Sequence, residues 1–206
     1  MNLEKLEKKV APAHTALLII DMQRDYCCKG GIFDKMGFNL DVPQELATRL
    51  NEFLNQARKA LKQIVHVKMT LVPELASRAM REHYERVGMM REFQPSLSEF
   101  YEIIPLEGET IIPKYRYSGF VSTYLDKFLR ANQIKTLVVV GVATNVCVES
   151  TVRDGFMLDY SIVVPRDMTE GTDREAKEAS LKNIETFFGE VVDSEDLLTC
   201  WELKAS

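Results

Sequence analysis

Uninterrupted apolar runs and helical stripes alternate along this chain. TALLII at Thr15–Ile20 has no polar break after its first residue and reads as a strand buried on both faces. Over residues 45–61 the period changes: Leu46, Leu50, Phe53, Leu54, Ala57 and Leu61 recur at helical spacing. Residues 64–69 predict a second strand, 74–87 a polar, helix-prone stretch, and 110–112 a short strand ending at Pro113 and Lys114. VSTYLDKFL at 121–129 predicts a helix, with Ser118 as its candidate N-cap. LVVVGV at 137–142 is the most strand-like run, β-branched and apolar. A small-residue turn follows, Ala143-Thr144-Asn145, and then Val148, Val152 and Phe156 at i, i+4 and i+8 predict a helix. A strand at 161–164, a helix from about 173 to 188 and a short strand at 191–192 complete the series. Such alternation implies an α/β sandwich around a mostly parallel sheet, which binds ligands outside the carboxyl ends of its strands. The least regular region is 73–105. Its Met89, Met90, Phe93 and Pro95 are candidates for a lid or an oligomer contact, with a plain surface loop as the alternative.

Composition narrows the partners. A chain of 206 residues fits one domain, 1–206, with a sizeable core. It is 46% apolar and 28% charged with net charge −5, so no broad basic excess points to nucleic acid or a membrane surface. The first residues, MNLEKLEKKVAP, lack the apolar core of a signal peptide, and no apolar run reaches the roughly 18 residues of a membrane span. Four cysteines, two of them adjacent at Cys27 and Cys28, do not make a disulfide framework. A reducing cytoplasm is the expected setting.

Three chemically complementary side chains fall at predicted strand ends. Cys147 lies in the first turn of a helix just past the strand 137–142, where unpaired N–H groups and the helix dipole favour a thiolate and can hold an oxyanion. Asp21 follows TALLII directly; partial burial there would raise its pKa and make it a base. Lys114 closes ETIIPK and can stabilise a thiolate–carboxylate pair by charge. Each alone has a plainer reading: inert core thiol, turn-capping carboxylate, solvated lysine. Together they can run acyl transfer. Around them, Gln23 and Asp25 are candidates to orient Asp21 or substrate, or are turn residues. Tyr26, Tyr117 and Phe120 are candidate pocket walls or core aromatics. Arg116 is the candidate for a substrate carboxylate, or a surface arginine. Glu149, at i+2 from Cys147, is expected to pair with Arg153, and Asp167 to cap a loop.

IIDMQRDY, the lysine of IIPKYRYSGF, and GVATNVCVESTVRDGFMLDY resemble the three signature blocks of isochorismatase-like cysteine hydrolases. KYRYSGF followed by ATNVCVEST is most similar to the ureidoacrylate and related linear ureido-amide hydrolases within that family. The resemblance implies a three-layer, Rossmann-like sandwich with a six-stranded sheet and a triad carried by Asp21, Lys114 and Cys147. It also implies a non-proline cis peptide between Val142 and Ala143, an oxyanion hole from the Ala143 and Cys147 N–H groups, and a homodimer or homotetramer. The Asp/His/His metal site of the nicotinamidases has no counterpart in VHVKMTLVPEL, so no metal and no cofactor are expected. The function expected is therefore metal-independent hydrolysis of a C–N bond in a small amide or ureido substrate, through a thioester-type intermediate. The competing expectations are a catalytically silent small-molecule binder and a redox-active thiol protein.

Overall fold

The computed structural model describes residues 2–70, 72–89 and 94–202. Its strands are β1 (Thr15–Ile20), β2 (Gln63–Met69), β3 (Thr110–Lys114), β4 (Thr136–Val142), β5 (Ser161–Pro165), the two-residue β6 (Thr169–Glu170) and β7 (Glu190–Val192). Six form a sheet in the order β3-β2-β1-β4-β5-β7, with β6 added beside the end of β4, and every pairing is parallel. Helices flank it: α1 (Leu3–Lys9), α2 (Arg24–Cys27), α3 (Ile32–Lys35), α4 (Asp41–Ala60), α5 (Arg78–Arg86), α6 (Leu125–Ala131), α7 (Glu149–Met157), α8 (Arg174–Phe187) and α9 (Ser194–Glu202).

All side chains of β1 and β4, both alternating sets, are buried, so both faces of the sheet centre are covered. The two strands are neighbours, paired from Thr15–Thr136 to Ile20–Gly141. From this pair the chain order runs outward in opposite directions, through β2 and β3 on one side and β5 and β7 on the other. That reversal is a topological switch point, where the loops leaving the carboxyl ends diverge and leave a crevice. Gly141, at φ 108°, permits the close pairing there, since a Cβ would lie 2.1 Å from the Ile20 carbonyl oxygen.

Several expected boundaries move. Helix α4 starts at Asp41 rather than 45, because Pro43 lies in a first turn whose N–H groups have no intrahelical partner. Helix α6 starts at Leu125, not 121. Ser118 does not cap it; its hydroxyl accepts from Phe120 N, and Thr123 Oγ1 accepts from Leu125 N. Strand β3 continues through Pro113 to Lys114. Helices α1 and α9 pack on each other, and Trp201 of α9 donates to Val10 O and lies 5.7 Å from the Phe53 ring. Of the irregular stretch 73–105, Met90 and Phe93 lie outside the described residues.

Candidate active site

Asp21, Lys114 and Cys147 meet at the switch point. Asp21 is the residue after β1, held at φ 52° with its N–H on Val67 O at 2.9 Å. This left-handed turn, which Asp tolerates better than most residues, ends the strand and keeps the carboxylate at the sheet edge. Asp21 Oδ1 accepts from Met69 N at 2.9 Å, and Oδ2 lies 2.8 Å from Lys114 Nζ. Lys114 closes β3, two strands away, and its side chain passes the end of β2 to reach the carboxylate. It also contacts Cys147 Sγ at 3.2 Å and Arg116 O at 3.2 Å. Both members of the ion pair have fully buried side chains.

Cys147 follows β4 in a π-helical turn, Thr144–Val148, that leads into α7. The Val142–Ala143 peptide before it is cis, and Val148 N closes the wide turn onto Ala143 O at 3.1 Å. Glu149 faces away from the thiol and binds Arg153 at 2.6 Å, Asn183 at 2.6 Å and the Ser180 hydroxyl, tying α7 to α8. Asp167 binds the Ser194 N–H and hydroxyl at the start of α9.

Protonation follows from burial and partners. Burial raises the Asp21 carboxyl above its usual value, with Lys114 opposing that rise in part. Burial would lower Lys114, but the adjoining Asp21 and Cys147 overcome it and hold the ammonium charged. Opposing influences act on the Cys147 thiol. Burial pushes the thiol well up, Lys114 pulls it down, and the Asp21 charge and hydrogen bond push it up again. The sulfur lies within reach of both the Lys114 ammonium and the Asp21 carboxyl.

A cavity of about 220 Å³ opens above Cys147 and Ala143. Tyr26, Tyr117, Tyr84, Met89, Phe33 and Phe38 line it. The stretch 73–105 thus contributes walls from α5 and the turn after it. Gln23 does not line the cavity. Its amide bonds Met69 N, Met69 O and Ser98 O, clamping the same β2 end that holds Asp21. Arg116 is directed elsewhere too: its guanidinium donates to Leu75 O at 3.0 Å and Tyr115 O at 2.6 Å. Phe120 is not a pocket wall; it stacks on Tyr160 at 5.9 Å and packs near Gly155 of α7. Asp25 accepts from Ile32 N and so fixes the start of α3. The walls that sequence reasoning missed, Phe33, Phe38 and Tyr84, sit on short or polar segments whose only signal was aromatic content. Among the described residues, no group of three or more His, Cys, Asp or Glu side chains could hold a metal ion, and no helix is long and apolar enough to cross a membrane.

A buried carboxylate, ammonium and thiol in mutual contact under an apolar cavity, at the switch point of a parallel α/β sheet, define a hydrolase-type site. The chain belongs to the isochorismatase family, whose domain model matches residues 15–196. It is 38% identical over 194 residues to the ureidoacrylate amidohydrolase RutB of Stutzerimonas stutzeri, covering 86% of this chain and 78% of that one. Its fold superposes on a cysteine hydrolase from Pseudomonas syringae pv. phaseolicola with TM-score 0.83 and 26% identity, covering 95% of both chains. It also superposes on the N-carbamoylsarcosine amidase of Thermoplasma acidophilum with TM-score 0.70 and 25% identity, covering 88% of this chain and 97% of that one. These relatives include amidohydrolases acting on C–N bonds.

Proposed function

We propose that this protein is a metal-independent cysteine amidohydrolase that cleaves a C–N bond of a small amide or ureido compound through a thioester on Cys147. The observation that carries the reading is the contact of Lys114 Nζ with both Asp21 Oδ2 and Cys147 Sγ, beneath a cavity that Cys147 and Ala143 line. Asp21 accepts the thiol proton as the sulfur attacks the carbonyl carbon, and Lys114 stabilises the pair while the charge moves. The oxygen of the tetrahedral intermediate accepts from the N–H groups of Ala143 and Cys147, each worth about 2.7–4 kcal/mol by comparison with other oxyanion holes. Collapse breaks the C–N bond, and the departing nitrogen takes the proton from Asp21. Water then attacks the thioester, giving its proton to Asp21. As the C–S bond breaks, that proton returns to the sulfur.

The relatives' ureidoacrylate name supports a C–N bond as the target. A redox role for the thiol has weaker support, since burial raises Cys147 and Cys27 alike. The reading includes a cytoplasmic homodimer or homotetramer. Exposed Ile104, Leu106, Ile111 and Tyr124, near or on the edge strand β3, support the assembly. Light scattering showing monomer alone would remove that part. The activity is tested by ammonia release over neutral amides, ureido acids and biuret. Release that requires Cys147 is expected, and undiminished release by Cys147→Ser would overturn the reading.

A further inference from the structure

We infer that the acyl pocket selects a neutral substrate with a compact apolar group, one aryl ring or a branched alkyl chain beside the carboxamide, over an acidic ureido acid. The inference rests on the amidohydrolase reading and specifies its substrate class.

Size and lining both point this way. Cavities of about 150 Å³ with apolar walls take up benzene. The cavity here, about 220 Å³, has room for such a ring together with its amide. Its walls beyond the reacting atoms are mostly apolar, Ile32, Phe33, Met36, Phe38 and Val146 among them, and the polar groups on it are the Tyr26, Tyr84 and Tyr117 hydroxyls, His83 and Thr172. Burial raises the phenols of Tyr26 and Tyr84; Asp21 and Cys147 raise Tyr26 further, and Tyr117, hydrogen-bonded to Tyr84, raises Tyr84 further, so both stay neutral hydroxyls on the wall.

The local charges penalise an anion. Lys114 has three donors, and the three contacts it makes are Asp21 Oδ2, Cys147 Sγ and Arg116 O. Arg116 turns its guanidinium to Leu75 O and Tyr115 O. A carboxylate entering the cavity would be desolvated close to the charge of Asp21, and a buried ion without a partner is strongly disfavoured. A wider basin of about 660 Å³ adjoins this cavity through the shared residues Phe33, Phe38 and Thr172, and carries Arg174 on its wall. Lys177 of the same basin is committed to Glu170 at 3.1 Å. Among the described residues, the basic side chains a longer acidic substrate would meet are His83, on the cavity wall with its Nδ1 2.9 Å from Arg86, and Arg174 of this basin.

The test compares kcat/KM of the full chain for benzamide and isobutyramide with that for succinamate and 3-ureidopropionate. The neutral pair should be favoured by about a hundredfold or more. Met36 lines the cavity and is 43% exposed, so Met36→Arg leaves the core intact. That variant should narrow the preference by about tenfold through a gain on the acidic pair. Equal rates on the two pairs would overturn the inference and leave the amidohydrolase reading standing. So would an acidic preference whose KM rises in Arg174→Ala, which would put the carboxylate in the outer basin. No ammonia from either neutral amide, with release from an acidic one, also overturns it. Ammonia release undiminished in Cys147→Ala would instead overturn the reading beneath it.

Discussion

Two clusters, one fully buried and one partly buried, pair a carboxylate with a cation, and they are wired oppositely. In one, Asp21 meets Lys114 and the Cys147 thiol. In the other, Glu109 accepts from Arg58 Nε at 2.7 Å, lies 2.7 Å from His66 Nε2, and also accepts from Leu106 N at 2.9 Å. Burial raises both carboxyls. At Glu109 the hydrogen bonds of Arg58, Leu106 and His66 more than offset it and hold the group down at about 2. At Asp21 they do not, and the carboxyl stays above its usual value. The difference is what each carboxylate is asked to do. Glu109 is saturated with donors that fix the turn entering β3, whereas Asp21 shares its site with a thiol whose proton it can take, under an open cavity. Buried charge by itself does not mark a reactive site; a carboxylate left proton-hungry beside a nucleophile does.

The largest expected effect is on the reactive cluster. Cys147→Ala should lower kcat by roughly four to six orders of magnitude while circular dichroism stays native. Asp21→Asn should cost about two to four orders, as loss of a positioned base does. In the unaltered protein kcat/KM should rise with pH, since the Asp21–Cys147 pair must release a proton first. The midpoint belongs to the pair and should lie above the usual aspartate value of 3.8. A flat profile down to that value would remove Asp21 as the base.

The Glu109 cluster should respond the other way. Glu109→Ala leaves Arg58 and His66 without their carboxylate and should destabilise the fold by about 3–5 kcal/mol in urea unfolding, with kcat/KM changed less than about threefold. Equal damage to both quantities would dissolve the distinction between the clusters.

Acid should reach the structural cluster in two stages. Burial lowers His66 despite the pull of Glu109, so unfolded chains bind its proton more readily. The stability it contributes is present above its unfolded value near 6.5 and is lost as pH falls below it. Glu109, lowered from 4.5 to about 2, contributes stability present above 4.5 and lost as pH falls toward 2. Thermal midpoints should therefore fall across both windows, and His66→Gln should remove the first. The smallest effect expected is that of EDTA: activity should change less than about twofold, and a loss restored by added metal would break the metal-independent account.

The sequence made the reactive cluster more legible than its surroundings. TALLII and LVVVGV are strands buried on both faces, so their apolar runs end abruptly and point to Asp21 and the Ala143–Cys147 turn. Lys114 was visible for the same reason, although β3 runs through it rather than stopping before it. Arg116 and Phe120 were misplaced because residues 115–124 form turns without a period, and nothing in such a stretch says which way a side chain faces. The surroundings of Cys147 were only half visible, because a helix terminus shows in the sequence and burial does not. Helix α1 was hidden by its charges, with Leu6 its one buried residue and Val10, the residue that caps it, buried beside it. The two-residue β6 carries too little pattern to be seen.

The thioester on Cys147 is the central claim, and acid-quenched mass spectrometry tests it most directly. The full-length protein would be mixed with an amide that it turns over, quenched within one turnover and digested. The account predicts an acyl adduct on the peptide that holds Cys147, absent from the peptides of Cys27, Cys28 and Cys200 and removed by hydroxylamine. Steady turnover with no adduct at Cys147, or with undiminished rate in Cys147→Ala, would contradict it.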